Sequence, residues 1–171
     1  MTGSAAFDPV RLLETLDRHG VRYVVVGGIA GRLLGSPIVT RDLDVCYARD
    51  PANLASLAAA LSELHAQLRG VEPGLPFHAD ARTLRAGDTF TLETDAGDLD
   101  AVGTPAGTDG FADLARTATR LDVGGLKVLV ASVDDLIRMK RAAGRPKDLI
   151  EVEVLGALRD EIDAGEGAER S

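Results

Sequence analysis

Apolar positions recur along the chain in two rhythms, and the switches between them mark the elements. Val10, Leu12, Leu13 and Leu16 form one face of a helix that Asp8-Pro9 opens and Gly20 stops. Val21 to Val26 is a run rich in β-branched residues, cut off by Gly27-Gly28, which predicts a buried strand. A short helix over 29–34 follows and ends at Gly35. Alternation over 42–47 predicts a second strand, and Pro51 opens a helix reaching about residue 68. Gly70, Pro73, Gly74 and Pro76 then make 69–76 a loop. Strands over 89–93 and 99–102 face each other across the turn Thr94-Asp95-Ala96-Gly97, and a short helix covers 111–115. A hairpin over 119–130 turns at Gly124-Gly125. Ser132, with Asp135 three residues on, caps a helix that ends at Gly144, and Pro146 starts a last one running to about Asp160.

Strands in the first two-thirds and helices at the end predict an α/β (α+β) domain: a mixed β-sheet flanked by helices, with C-terminal helices. The expected organisation is a loose N-terminus over 1–6, one domain over 7–163 and a polar, Gly-rich, disordered tail over 164–171. Within the domain the sheet spans about 21–130 and the C-terminal helices about 132–160. A chain of 171 residues fits one such domain.

Composition narrows the partners. With 19 basic and 27 acidic residues the formal charge is −8, which argues against a non-specific nucleic-acid coat or a basic membrane-surface binder. Aromatics are only 4% and Trp is absent, so a platform of stacked bases is not the main device. The single Cys46 excludes an internal disulfide, and no Cys/His set has zinc spacing. No leader and no apolar run near membrane-spanning length is visible, so the expected setting is cytoplasmic, with no membrane partner.

Asp42 and Asp44 stand two apart on a predicted strand, so both carboxylates leave one face. Either that face is solvated, or a hard cation such as Mg²⁺ or Mn²⁺ neutralises it. Asp100 on another strand, with Asp98 on the same face, offers a third carboxylate; the apolar neighbours Leu99, Ala101 and Val102 favour Asp100. Gly27-Gly28 sits between a strand and a helix start, where backbone N–H groups can approach an anion. The G-x-G-x-x-G and P-loop patterns both fail here. Arg138, Lys140, Arg141, Arg145 and Lys147 crowd into ten residues, and Lys140 falls on the apolar face of Val133, Leu136 and Ile137. It either snorkels past the rim or meets a phosphate in a cleft. Asp148 either orients such a base or serves the helix N-terminus. Cys46 shares the aspartate face, which raises its pKa and makes it a poor nucleophile. His19, His65 and His78 read as surface histidines.

In combination these residues resemble the nucleotidyltransferase superfamily with the polymerase-beta-like fold. The likeness runs from Val24-Val25-Val26-Gly27-Gly28 through Thr40-Arg41-Asp42-Leu43-Asp44 to Asp100. It looks closest to small bacterial abortive-infection and toxin–antitoxin nucleotidyltransferases, in which a block similar to Lys140 to Asp148 recurs. Many members have Gly-Ser where this chain has Gly27-Gly28, which leaves backbone donors and nearby Thr40 to hold phosphate. The resemblance implies Mg²⁺-dependent transfer of a nucleoside monophosphate from a nucleoside triphosphate to a hydroxyl, releasing pyrophosphate. It makes Asp42, Asp44 and Asp100 the metal ligands, with Asp100 also helping to deprotonate the hydroxyl. Gly27, Gly28, Thr40, Arg41, Lys140, Lys147 and Asp148 form the nucleotide site. RNA (tRNA in the toxin-like relatives), a protein or a small aminoglycoside-like molecule is the implied acceptor, and a cognate antitoxin an implied partner. For RNA, the Arg138–Lys147 patch with Arg82 and Arg85 must make the phosphate contacts. The alternative is an idle nucleotide- or partner-binding module of the same fold.

Overall fold

The two strands that read as most buried, β1 (Tyr23–Val26) and β2 (Asp42–Tyr47), sit in the middle of a mixed seven-stranded sheet. The computed structural model describes residues 5–72 and 77–169. Around the central pair lie β3 (Gln67–Leu68), β4 (Thr89–Thr94) and β5 (Gly97–Val102) on one side, with β6 (Thr119–Val123) and β7 (Leu126–Val130) on the other. The order is β3-β4-β5-β2-β1-β7-β6. β2 runs parallel to β5, and β1 parallel to β7; the remaining pairs are antiparallel.

The pleat sorts side chains by face. Leu43, Val45 and Tyr47 of β2 share a buried face with Leu99 and Ala101 of β5 and with Phe90 and Leu92 of β4. On it pack α1 (Pro9–Arg18), α3 (Pro51–Glu63) and α4 (Ala81–Ala86). The Tyr23 hydroxyl donates to Asp17 of α1 at 2.9 Å and ties that helix to the strand beneath. The opposite face carries Asp42, Asp44, Asp98 and Asp100. It is covered in part by α2 (Gly27–Leu34), α5 (Phe111–Thr117), α6 (Val133–Ala143) and α7 (Pro146–Glu169).

Three elements differ from the sequence reading. The third helix stops at Glu63 because His65 adopts φ +51°, and Ala66 N–H donates to Leu61 O at 3.0 Å in a Schellman-type ending. Residues 67–68 thereby become an edge strand. Helix α4 forms after Asp80, whose carboxylate accepts from Thr83 N–H at 2.7 Å. The last helix runs on to Glu169: Leu155, Leu158 and Ile162 continue one packed stripe, and the exposed Ala164 and Glu166 beyond it are good helix formers. Of the loose ends expected over 1–6 and 164–171, residues 1–4 and 170–171 lie outside the described residues, as do the loop residues 73–76. No helix among those described is long and apolar enough to cross a membrane.

Candidate active site

The register decides which carboxylates meet. Asp42 stands opposite Asp98 and Asp44 opposite Asp100 across the parallel β2–β5 pair. Asp42, Asp44 and Asp100 each bring a carboxylate oxygen within 4.8 Å of the other two. Asp98 stays outside that group, and its nearest cation is Arg69, with Nε 3.6 Å from Oδ2. Arg69 also ion-pairs with Asp100 through Nη2.

The floor of the site depends on two glycines for different reasons. Gly27 has φ +67°, and a Cβ there would lie 2.1 Å from Asp44 Oδ2. A Cβ on Gly28 would lie 2.8 Å from Thr40 Cβ. Without side chains, β1 turns directly into α2 and presses the first helical turn against the aspartates. Val26, the residue before α2, makes no side-chain cap, and an uncapped helix start is the kind of terminus that can take an anion. Thr40 is turned elsewhere: its hydroxyl donates to Asp42 Oδ1 at 2.7 Å and fixes that carboxylate. Arg41 is exposed and makes no ion pair among the described residues.

Charge crowding shows in Asp44, whose pKa is pushed up to about 8. Burial is the first cause, then the charges of Asp42 and Asp100 and a hydrogen bond with Asp100, with Lys140 opposing. Three hard oxygen donors with one proton too many suit a divalent cation such as Mg²⁺. Cys46 on the same strand is pushed up to about 12, first by burial and then by Asp88 and Asp113, so it stays a thiol.

Across a cleft of about 340 Å³, Gly27 and Asp44 face Thr104, Met139, Lys140 and Arg145. Lys140 thus lines the cleft, with Nζ 3.5 Å from Asp148 Oδ1 and a second ion pair to Glu151. Asp148 is fully buried and accepts from Arg145 N–H at 3.1 Å and Nε at 2.9 Å, closing the start of α7. Lys147 is exposed and does not line this cleft.

The basic block does not form one free surface. Arg138 turns to Asp113 and Asp135, each at 3.1 Å, while Lys140 and Arg145 are paired as above. Arg82 and Arg85 ride on α4, against the other face of the sheet. Sequence reasoning missed Arg69 and Glu151. Glu151 follows Asp148 by three on α7, a helical spacing that could have flagged it. Arg69 had no such signal, since only the pairing of β3 with β4 brings it to the aspartates.

No family model and no curated protein matches the chain. Solved structures do. TM1012 of Thermotoga maritima, a candidate nucleotidyltransferase, superposes with TM-score 0.53 at 18% identity over 94% of this chain and 97% of that one. The lincosamide antibiotic adenylyltransferase LnuA, bound to lincomycin, gives 0.58 at 12% identity over 91% and 99%. ANT(2″)-Ia, in complex with adenylyl-2″-tobramycin, gives 0.53 at 17% identity over 95% and 94%. The chain therefore has the nucleotidyltransferase fold, with its C-terminal helices included in the match.

Proposed function

We propose that this protein transfers a nucleoside monophosphate from a nucleoside triphosphate to a hydroxyl of a small-molecule acceptor. The observation that carries the reading is the convergence of Asp42, Asp44 and Asp100 at the uncapped start of α2, in this fold. Mg²⁺ or Mn²⁺, one ion at Asp42 and Asp44 and a second at Asp100, would supply Lewis-acid polarisation of the α-phosphate and of the attacking hydroxyl.

The chain's own groups do the rest. The amides of Gly27 and Gly28 orient the β- and γ-phosphates at the helix terminus. Lys140 and Arg145, facing Asp44 across the cleft, neutralise charge that builds on the leaving pyrophosphate. Thr40 holds Asp42 in place. Asp100 takes the proton of the hydroxyl as the acceptor O–P bond forms, and the bond from the α-phosphorus to its bridging oxygen breaks. Positioning and electrostatics supply the rate.

Charge selects the acceptor. Thr91 and Glu93 remain exposed beside Asp98 and Asp100, giving the open part of the sheet an acidic surface. Such a surface suits a neutral or cationic hydroxyl compound and repels a polyphosphate backbone. Arg138, tied to Asp113 and Asp135, points the same way. LnuA and ANT(2″)-Ia carry small antibiotic groups in their complexes, which supports the same class. A toxin-type reaction on RNA, with a cognate antitoxin in the cytoplasm, is the second reading and rests on the resemblance of the Lys140–Asp148 block.

Incubation with each α-³²P-labelled nucleoside triphosphate and Mg²⁺ tests this, with amino-sugar and lincosamide-like acceptors or total RNA. Label is expected on a small molecule, with at least about a 10³-fold loss in Asp42→Ala/Asp44→Ala. Label in RNA reassigns the acceptor. Nucleotide binding without any transfer identifies the idle module, and neither transfer nor binding sinks the reading.

A further inference from the structure

Arg69 is placed at the acidic cluster by main-chain pairing. Its N–H donates to Thr91 O at 2.9 Å, which extends the β3–β4 ladder by one residue. The guanidinium then reaches back across the open face of the sheet. Nη2 donates to Leu92 O at 3.1 Å and to Asp100 Oδ1, and Nε lies 3.6 Å from Asp98 Oδ2. That Nε is buried and has no hydrogen-bond acceptor among the described residues, so the Asp98 contact is an ion pair without a hydrogen bond. The side chain is 29% exposed, with Asp98 and Asp100 at 32% and 22%, so the charges are only partly screened by water.

One member of the three-carboxylate group therefore already carries a cation supplied by the chain. Asp42 and Asp44 have no arginine or lysine within ion-pair distance among the described residues. The fields of Lys140 and Arg145 reach Asp44 from across the cleft, and the Thr40 hydroxyl donates to Asp42, but no described residue puts a cation in direct contact with either carboxylate. The group is thus divided: an unneutralised pair on β2 and a neutralised partner on β5. An arginine that held only main chain would merely fasten the edge strand. This one spends the same nitrogen on Leu92 O and on a carboxylate of the cluster.

We propose that Arg69 is a positioning residue that acts as the resident counter-ion of Asp100 and competes with a divalent cation for that carboxylate. Free protein then takes one divalent ion readily at Asp42 and Asp44 and a second at Asp100 only weakly. The negative charge of a bound triphosphate offsets the arginine, so the site is completed when substrate arrives. This inference rests on the reading of the aspartates as metal ligands, and its test separates the two.

The test is Mn²⁺ binding to the full chain without nucleotide, read from the electron paramagnetic resonance signal of free Mn²⁺. Wild type is expected to bind one ion, with a second at least about tenfold weaker. Arg69→Gln is expected to tighten the weaker site by roughly tenfold, since a unit positive charge beside it is gone. Arg69→Lys, which keeps the charge, is expected to stay near wild type. Arg69→Gln/Asp100→Asn is expected to lose the gain. Arg69→Met, which keeps the apolar stem, replaces the glutamine variant if thermal unfolding shows that variant poorly folded. Unchanged or weaker Mn²⁺ binding in a folded Arg69→Gln or Arg69→Met protein overturns the proposal while leaving the metal site intact. Absence of Mn²⁺ binding in wild type and variants alike overturns the metal-site reading itself, and the proposal with it.

Discussion

Asp44 and Asp148 are both aspartates in the interior of one cleft region, and their surroundings drive them opposite ways. Asp148 is fully buried yet held below the ordinary carboxylate range, chiefly by the hydrogen bond from the Arg145 side chain, then by Arg145 N–H and Lys140. Asp44 is less buried yet pushed up to about 8 by desolvation and by Asp42 and Asp100. Burial pushes both carboxyls up; at Asp148 the hydrogen bonds and charges of Arg145 and Lys140 outweigh it, while at Asp44 the charges of Asp42 and Asp100 add to it. A carboxylate whose donors are all supplied by the chain fastens an element, here the start of α7. A carboxylate crowded by others of its own sign stores electrostatic cost, and that cost is relieved by a proton or by a cation from outside.

The comparison breaks hardest at Gly27, because Asp44 occupies the space a Cβ would take. Gly27→Ala puts a non-glycine residue at φ +67° and a carbon 2.1 Å from Asp44 Oδ2. The expected cost is about 3 kcal/mol, from the left-handed backbone and the forced displacement together. That lowers Tm by roughly 6–12 °C in thermal unfolding. Transfer activity falls as well, by roughly 10²-fold, because the carboxylate and the helix amides lose their mutual placement.

Truncating Asp148 acts on the other member. Asp148→Ala leaves Arg145 and Lys140 without their shared acceptor and empties a fully buried position. An expected loss of about 2 kcal/mol follows, read as a lower denaturation midpoint with the slope unchanged. A variant as stable as wild type would show that Asp148 is not the fastening it resembles. The KM for nucleoside triphosphate rises in the same variant, since Lys140 keeps only Glu151 as a partner.

Legibility in the sequence followed the range of the interaction. Asp42 and Asp44 are two residues apart on one strand, so their shared face was readable from the period-2 pleat. The block from Lys140 to Asp148 lies within one helix junction, and its crowding was visible directly. What required the fold was register and long-range pairing. Asp100 meets Asp44 only because β2 and β5 run parallel with that offset, and parallel neighbours joined through a long crossover leave no local mark. Arg138 looked like part of a basic surface until Asp113, on another helix, claimed it. His65 ended its helix in a left-handed conformation without the glycine that normally announces one. Thr40 sat in the right place, but its hydroxyl serves Asp42, a bond that spacing alone cannot assign.

The smallest expected effect is the one that most sharpens the contrast, because the two aspartates tilt stability with pH in opposite directions. Asp148, with its folded pKa lowered, contributes stability that is present above about pH 4 and lost as pH falls through its folded value. Asp44 does the reverse. Between about pH 4 and 8 the folded state retains a proton that the unfolded chain has released, so metal-free stability falls as pH rises across that window. Asp44→Asn mimics the protonated carboxyl, so its Tm is expected to match wild type below about pH 4 and to exceed it progressively as pH rises to about 8. Mg²⁺ is expected to raise the Tm of wild type at pH 8 and leave that of the variant nearly unchanged. Equal pH profiles for the two proteins, without Mg²⁺, would mean that Asp44 is solvated like any surface carboxylate. A variant that is more stable at pH 8 yet inactive would show that the charge at Asp44 is retained against the fold's own stability, for chemistry that a neutral side chain cannot perform.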